Sequence, residues 1–349
     1  MKNLFKILTI ICIVALFSAC KDKTKPQKFF NDNGQQEQIK IIRFDRELFD
    51  KPLPNMESFL VGLASKYPEM FQASMQDKQY MATIEDFITD NRLRDAQNLV
   101  QRLYPDLSFL EIDLTSAFAR LKSIYPKTQL PSKIFTFMFG PIDFSQALAD
   151  RVYHGTYAGH DYYTIALDIY SMPEMQKNPY YGQMPQYLLS TLNKDYIAPD
   201  FIRMYLQNIA CVDVADVTMN PDCTLLDCII QEGKYSYFVK TLLPNYDDNK
   251  VLRYDTAQMN WCQKNEKIIW GYIIQNKILY EKDRSKYMSI IAEGPTTKPL
   301  NNSPSRTGNY IGYQIVNAFM KKQNISVDSL MHITNSQQIL KQSAYKPKK

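Results

Sequence analysis

The sequence is poor in the residues from which common catalytic and metal sites are built. It contains only three histidines, His154, His160 and His332, and no two of them lie four residues apart. It has no Cys-x2-Cys pair, the spacing typical of structural zinc sites. It also lacks a Gly-x-Ser-x-Gly motif and a phosphate-binding glycine loop. These absences leave little material for a serine or cysteine hydrolase, and we expect His154 and His160 to be turn or surface residues.

Glycine is also scarce, whereas aromatic residues are abundant. The chain has 11 glycines beside 24 tyrosines and 18 phenylalanines. Tight turns often depend on glycine, and the small number of glycines therefore argues against a turn-rich all-β fold. The composition therefore predicts a helical body with a wide aromatic surface.

The N-terminal apolar run is too short to be a permanent membrane span. Residues 7–17 are apolar apart from Thr9 and follow two lysines, whereas a spanning helix needs about 20 residues. Ser18 and Ala19 lead to Cys20. This arrangement predicts a secretory signal over residues 1–19 with a lipobox cleavage site. The alternative is an ordinary signal peptide with an incidental cysteine.

Cys20 predicts where the mature protein resides. We expect the chain to begin at an acylated Cys20 and to be anchored to the cell envelope, periplasmic or outer membrane, outside the cytoplasm. The polar residues 20–38 predict a flexible tether. Residues 39–349 contain no linker-like stretch and no repeat, which favours a single domain.

The charge balance gives no indication of a nucleic-acid partner. Removing residues 1–19 takes away Lys2 and Lys6 and no acidic residue, so the formal charge falls from +5 to +3. So mild a charge on an exported chain argues against nucleic-acid binding.

Hydrophobic periodicity predicts helices on both sides of a small sheet, the order of a mostly helical α+β fold. His154 to His160 is expected to be the turn between two strands. The predicted strands are a short one in Ile39–Phe49 that runs into a turn, then Lys133–Gly140, its continuation at Ser145–His154, and Tyr162–Asp168. The predicted helices include Asn55–Lys66, a long one ending before Pro105, Leu107–Ile124, Pro199–Val212, Thr224–Leu243, one or two in Asp255–Tyr280, and Tyr310–Lys321.

Four cysteines lie beyond the lipobox: Cys211, Cys223, Cys228 and Cys262. An even count in an oxidising compartment favours disulfides, with Cys211–Cys223 or Cys228–Cys262 as the candidates. Buried free thiols are the alternative. Cys223 and Cys228 are expected on different faces of one helix and therefore not to pair with each other.

One local pattern places a carboxylate on the apolar face of a helix. In Thr224–Leu243, Glu232 follows Leu225 and Ile229 at helical spacing. A carboxylate at such a position is either buried with a partner or lines a cavity. Gly233, the next residue, allows a ligand or another backbone to approach closely.

Glu232 is expected to mark a groove with Arg203, Arg306 and Gly308 as neighbours. Arg203 and Arg306 are candidate partners for the carboxylate, which is more simply a satisfied buried acid than a catalytic one. Pro304–Gly312 predicts a glycine turn that opens a helix, and such an N-terminus beside an arginine can bind an anion. Close helix packing explains the Gly308–Gly312 spacing equally well.

The order and spacing of many short motifs resemble the gliding-motility lipoprotein B (GldB) family of Bacteroidetes, which consists of exported lipoproteins. The resemblance runs from Ile41 to Pro347. Its motifs are Arg43-Phe44-Asp45, Leu103-Tyr104-Pro105-Asp106, Tyr125-Pro126, Leu167-Asp168-Ile169-Tyr170, Met184-Pro185-Gln186-Tyr187, Leu225-Leu226-Asp227, Glu232-Gly233-Lys234, Trp261, Asn265-Glu266, Trp270, Gly294-Pro295, Arg306-Thr307-Gly308, Ile311-Gly312 and Ser343-Ala344-Tyr345-Lys346-Pro347.

That family is in turn similar to predicted zinc peptidases with a zincin-like core. The resemblance implies that Pro199–Val212 matches the helix that carries His-Glu-x-x-His, and that Glu232 matches the third ligand. The matching helix contains no histidine, and one carboxylate cannot hold a catalytic zinc. The resemblance therefore implies a zincin-like fold that has lost its metal, so we expect no metal and no other cofactor.

These observations favour a non-catalytic pseudo-peptidase that binds protein partners of the envelope in motility, secretion or envelope assembly. A zinc-dependent metallopeptidase is the first alternative. A surface glycan-binding lipoprotein is the second, since the tyrosine-rich run Tyr153–Tyr181 can form a binding surface.

Overall fold

The structure, a computed structural model, describes residues 38–49, 55–71, 73–140, 148–177, 184–208, 222–298 and 300–348. Cys20, the signal segment, the tether and Cys211 lie outside these residues.

Helices precede the main part of the sheet. Polar side chains cap the first turn of several of them. Asn55 and Asp77, for example, accept backbone N–H bonds at the starts of two helices. The helices of this half are α1 (Phe44–Phe49), α2 (Met56–Lys66), α3 (Lys78–Thr89), α4 (Asn91–Leu103) and α5 (Ser108–Ile124).

Four strands form one mixed sheet in the order β1-β2-β4-β3: β1 (Ile41–Ile42), β2 (Ile134–Phe137), β3 (Val152–Tyr157) and β4 (His160–Ala166). β1 and β4 both run parallel to β2, whereas β3 and β4 form an antiparallel hairpin. β2 is buried almost throughout because α1 packs against it and the helices of the main core cover its other side.

Two sequence-based predictions for this region need correction. The short strand predicted in Ile39–Phe49 is present at Ile41–Ile42, but the residues that follow form the helix α1 and not a turn. The turn between the two strands lies within the predicted His154–His160 segment but is shorter: it consists of Ala158 and Gly159, both with positive φ, while His154 lies in β3 and His160 is the first residue of β4. A glycine with φ of 79° after an alanine with φ of 49° allows this tight connection.

The second half of the chain is helical. It contains α6 (Met172–Met175), α7 (Gln186–Leu189), α8 (Lys194–Asn208), α9 (Leu225–Leu242), α10 (Asp248–Val251), α11 (Thr256–Lys264), α12 (Glu266–Gln275), α13 (Arg284–Ile291), α14 (Thr307–Gln323), α15 (Val327–His332) and α16 (Ser336–Ser343). The architecture confirms the predicted mostly helical α+β class.

The helix α9 joins two clusters of buried side chains. Phe238 and Leu242, near its end, belong to the core that contains the sheet, α5 and α8. Leu225 and Ile229, near its start, belong to the core that contains α11 to α14. The two cores meet along one helix, and residues on the sides of α9 lie at their junction.

Candidate functional site

The start of α9 is fixed by a reciprocal hydrogen-bond pair. The Thr224 hydroxyl accepts from the Asp227 backbone N–H at 3.3 Å, and the Asp227 carboxylate accepts from the Thr224 backbone N–H at 3.0 Å. This capping box satisfies two backbone donors that a helix start would otherwise leave unpaired. It sets which side chains of α9 face the junction between the cores.

Glycines bring α9 and α14 into close contact. A Cβ placed on Gly233 would lie 2.5 Å from the backbone oxygen of Gly312. One on Gly308 would lie 2.7 Å from Cγ2 of Ile290. Side chains at these positions would hold the helices apart, so the glycines are required by packing.

A cavity of about 350 Å³ opens beside this contact, and we call it the arginine cavity. Five arginines from separate elements line it, together with Glu232, Cys228, Ser236 and Asn309 and the apolar side chains of α10 and α13. The five are Arg151, Arg203, Arg253, Arg284 and Arg306.

Arg203 on α8 is the partner of Glu232. Its Nη2 donates to the Glu232 carboxylate, and its Nη1 donates to the Ser236 hydroxyl at 3.3 Å. The guanidinium also lies 5.7 Å from the ring centre of Tyr235. Glu232 is therefore held by a guanidinium from the facing helix and not left as an isolated acid.

Asp200, one turn earlier on α8, organises the next two arginines. Its carboxylate accepts from Arg151 Nε at 2.9 Å and from the Tyr170 hydroxyl at 2.7 Å, and it lies 3.4 Å from Arg253 Nε. Burial alone would lower the pKa of Arg151, but the Asp200 charge outweighs it and raises that pKa. Burial and the same charge raise the pKa of Tyr170 well above its ordinary value. The buried acid therefore stabilises the positive charge of Arg151.

Arg306 reaches back across the cavity to the backbone at Arg253. Its Nη2 donates to the Arg253 carbonyl at 2.6 Å, and its guanidinium lies 5.2 Å from the Tyr254 ring centre. Both arginines have positive φ, 56° at Arg253 and 55° at Arg306. Left-handed backbone is costly for residues other than glycine, and in this chain it also occurs at helix ends such as Asn324 and Ala344.

The cavity has more positive than negative charge. Its five guanidinium groups face three carboxylates, those of Glu232, Asp200 and Glu293, an excess of two positive charges. The Nε atoms of Arg253 and Arg306 and the Oδ1 atom of Asn309 are buried without a hydrogen-bond partner. Such a cavity attracts anions, because guanidinium groups bind carboxylates and phosphates in a paired geometry.

The predicted groove residues are brought together with one exception. Glu232, Arg203 and Arg306 line the same cavity. Gly308 lies against Ile229 and Ile290 in the packed interior, and the neighbouring Asn309 faces the cavity.

Sequence reasoning missed Arg151, Arg253 and Arg284. They come from the start of β3, the end of α10 and the start of α13, and no sequence spacing relates them.

The histidines lie apart from the arginine cavity. His154 contacts Asp161 at 3.0 Å and stacks on Tyr163, while His332 Nδ1 lies 2.9 Å from the Asp328 carbonyl. In the part of the chain that the structure describes, no three His, Cys, Asp or Glu residues are placed to hold a metal ion.

The cysteine predictions need correction. Cys223, Cys228 and Cys262 are buried and unbridged in the structure, as the alternative of buried thiols predicts, and the candidate Cys228–Cys262 bridge is absent among these described residues. The Sγ atoms of Cys223 and Cys228 lie 3.0 Å apart, contrary to the expected separation on different helix faces. The reason is that α9 begins at Leu225, which leaves Cys223 outside the helix and free to fold back over its first turn. Cys211 lies outside the described residues.

A second cavity, of about 380 Å³, lies on the sheet and is lined by aromatic and acidic side chains. They are Phe137, Phe139, Tyr153, Tyr162, Glu69 and Asp150, with Met70 and Thr164.

Among residues 38–348, apart from the short gaps given above, no helix is long and apolar enough to cross a membrane.

Comparisons with known proteins give one match. The family model described as gliding motility protein GldB matches residues 26–347, which is most of the chain. Neither the search of curated proteins nor the search of solved structures finds a match. The family match supports a gliding-motility-related lipoprotein, and the lipoprotein family suggests a location in the cell envelope. The chain belongs to the gliding motility protein GldB family.

Proposed function

We propose that this protein is a non-catalytic lipoprotein, anchored through Cys20, that binds protein partners in motility, secretion or envelope assembly. We further propose that the arginine cavity is its binding site, and that it takes an acidic side chain or a C-terminal carboxylate of the partner. The observation that carries this proposal is the convergence of five guanidinium groups on one cavity with an excess of two positive charges.

Several cavity atoms favour an incoming anion. Arg284 is exposed and, within the described residues, has no ion-pair partner. The buried Nε atoms of Arg253 and Arg306 make no hydrogen bond, although each has a carboxylate oxygen at 3.4 and 3.3 Å. A carboxylate that bridged these groups would gain charge-assisted hydrogen bonds, and the apolar Met288 and Ile291 beside them would contact the rest of its segment.

The Arg203–Glu232 pair supports the non-catalytic part of the proposal. The zincin-like resemblance places Glu232 as a third metal ligand and the helix of Arg203 as the source of the two histidines. In this chain that helix presents a guanidinium to the same carboxylate. Because a cation built into the chain already pairs with Glu232, we propose a pseudo-peptidase. The zinc-dependent metallopeptidase is the alternative outcome of the test.

The test compares two charge reversals that lie two residues apart. Arg284→Glu changes the cavity, whereas Lys282→Glu changes an exposed residue paired with Asp222 outside it. Both variants of the full lipoprotein are expressed in a deletion strain of the source bacterium. The wild type and Lys282→Glu should co-purify the same envelope proteins and restore the motility, secretion or envelope assembly that the deletion impairs. Arg284→Glu should neither co-purify these proteins nor restore the deletion strain, although its abundance and melting temperature equal those of the wild type.

Two results would overturn the proposal. One is an Arg284→Glu protein that keeps every partner. The other is about one equivalent of zinc in the purified lipoprotein together with chelator-sensitive peptide hydrolysis, which would establish the metallopeptidase alternative.

The sheet-side cavity favours glycan binding as a second candidate function. Tyr153 is 44 % exposed and lies beside Tyr162, Phe137 and the carboxylate of Glu69. Aromatic faces with nearby acids are suited to sugar rings and their hydroxyls. Polysaccharide binding that Tyr153→Ala abolishes and Tyr280→Ala preserves would support this candidate, since Tyr280 is exposed elsewhere; equal binding by both variants would exclude it.

A further inference from the structure

The two cysteines at the start of α9 occupy positions that helix geometry brings together. Thr224 is the N-cap, so Cys223 is the residue before the cap and Cys228 is the fourth residue of the helix. Side chains at these two positions commonly pack on each other and fix the direction in which the chain enters the helix. Here both are cysteines, each 3 % exposed, with their Sγ atoms 3.0 Å apart.

We propose that Cys223 and Cys228 form a disulfide in the exported protein, a covalent link between the entering segment and the first turn of α9. A disulfide bond is about 2.05 Å long, so the sulfurs need to approach by only about 1 Å. The proposal rests on the envelope location and is independent of what the arginine cavity binds.

The surroundings hold both cysteines in this arrangement. The Tyr287 hydroxyl donates to the Cys223 carbonyl at 3.2 Å. The backbone N–H groups of Leu225 and Leu226 donate to the carbonyls of Glu281 and Leu279 at 3.1 and 2.9 Å. The capping box at Thr224 then fixes the turn between the two thiols. These hydrogen bonds hold the backbone around both cysteines while their sulfurs are in contact.

Bond formation is a balanced exchange with an external disulfide. A thiolate of the pair attacks an oxidant of the disulfide class, either an envelope dithiol oxidase or a small oxidised thiol, and forms a mixed disulfide. The thiolate of the second cysteine then attacks the first cysteine's sulfur in the mixed disulfide and releases the rest of the oxidant. The oxidant is thereby reduced to two thiols, which carry the two electrons and two protons. Burial and the neighbouring Cys228 raise the pKa of Cys223 to about 12. Few thiolates therefore form once the site has closed, and the exchange belongs to the period before α9 packs.

The test maps the thiols of the full-length lipoprotein, extracted without reductant and with iodoacetamide present. A protease that cleaves before aspartate separates the three relevant cysteines into residues 200–212, 222–226 and 227–246. The expected result is a linked pair of the second and third peptides that reductant separates, with Cys262 alkylated. Complete alkylation of Cys223 and Cys228, or linkage of either to Cys211, would overturn the proposal.

A melting experiment provides the second readout. Reductant should lower the melting temperature of the wild type and of the matched control Cys262→Ser by several degrees, because Cys262 lies in a different part of the same core. Reductant should leave the melting temperature of Cys223→Ser unchanged. An equal reductant effect on Cys223→Ser and Cys262→Ser would contradict the assigned pair.

Discussion

The backbone of Gly312 on α14 lies directly against the Ile229 carbonyl of α9: a Cβ at Gly312 would be 1.7 Å from that oxygen. No rotamer change relieves such a clash, because the atom in the way is backbone. The two central helices of the molecule therefore depend on a residue without a side chain at this point.

Gly312→Ala should lower the free energy of unfolding by more than about 2 kcal/mol, since α9 and α14 must separate to admit the methyl group. Urea unfolding measures the change. Gly271→Ala is the matched control: it also lies within a helix, but nothing is within 4 Å of its Cβ position. It should raise stability by about 0.5–1 kcal/mol. Equal effects of the two substitutions would contradict the close crossing.

Asp200→Asn should destabilise the protein by about 3 kcal/mol, because it leaves the largely buried Arg151 without its counter-charge. Urea unfolding of Asp222→Asn provides the comparison. Asp222 is 74 % exposed and pairs with Lys282, so its loss should cost less than about 0.5 kcal/mol. A small effect at Asp200 would mean that solvent, and not the carboxylate, stabilises the guanidinium groups.

The buried Lys234 should make the folded protein more stable as the pH becomes alkaline. Burial lowers its pKa from 10.5 to about 8, and its Nζ donates to the Ile333 carbonyl. Between pH 8 and 10.5 the unfolded chain keeps a proton that the folded chain has released, so stability increases with pH by up to about 3 kcal/mol. Lys234→Met should lose this contribution, seen as the difference between its unfolding free energy and that of the wild type at each pH.

The exposed Lys282→Met is the control for that measurement. Its side chain is 60 % exposed, and its pH profile should follow the wild type. Identical profiles for Lys234→Met and the wild type would contradict the assignment of the alkaline contribution to Lys234.

Glu232→Gln should strengthen anion binding by the arginine cavity, because it removes one of three carboxylates that offset five guanidinium groups. Pyrophosphate at low millimolar concentration is a suitable probe. It should raise the melting temperature of Glu232→Gln more than that of the wild type, and that of Arg284→Gln less. The opposite order, or no response in any of the three proteins, would argue against an anion site.

Where side chains repeat at helical spacing, the sequence was sufficient to predict structure. The predictions at Asn55–Lys66, Leu107–Ile124 and Thr224–Leu243 agree with α2, α5 and α9 to within one residue at each end. Their boundaries are encoded locally, by caps such as Asn55 and Thr224. The single long helix expected before Pro105 is in fact α3 and α4, because Asp90 ends one and caps the next.

Predictions failed where a segment's structure depends on distant partners. The strand predicted in Ile39–Phe49 covers only Ile41 and Ile42, the two residues that pair with Ile134 and Phe135, almost a hundred residues away. His154 lies in a strand because β3 pairs with β4, although the histidine–glycine sequence there also suits a turn. Strand propensity depends more on such pairing than on the residues themselves.

The sequence by itself determined the helical class, the starts of α2, α5 and α9, the family and the position of Glu232 on the apolar face of α9. These follow from local spacing, local caps and motif order, which need no knowledge of distant contacts. Only the tertiary structure decided that Arg151, Arg203, Arg253, Arg284 and Arg306 meet in one cavity, and that Cys223 contacts Cys228. The physical reason is that these contacts depend on how α8, α9, α13 and α14 pack, and packing is set by the complementarity of buried surfaces and not by any periodicity along the chain.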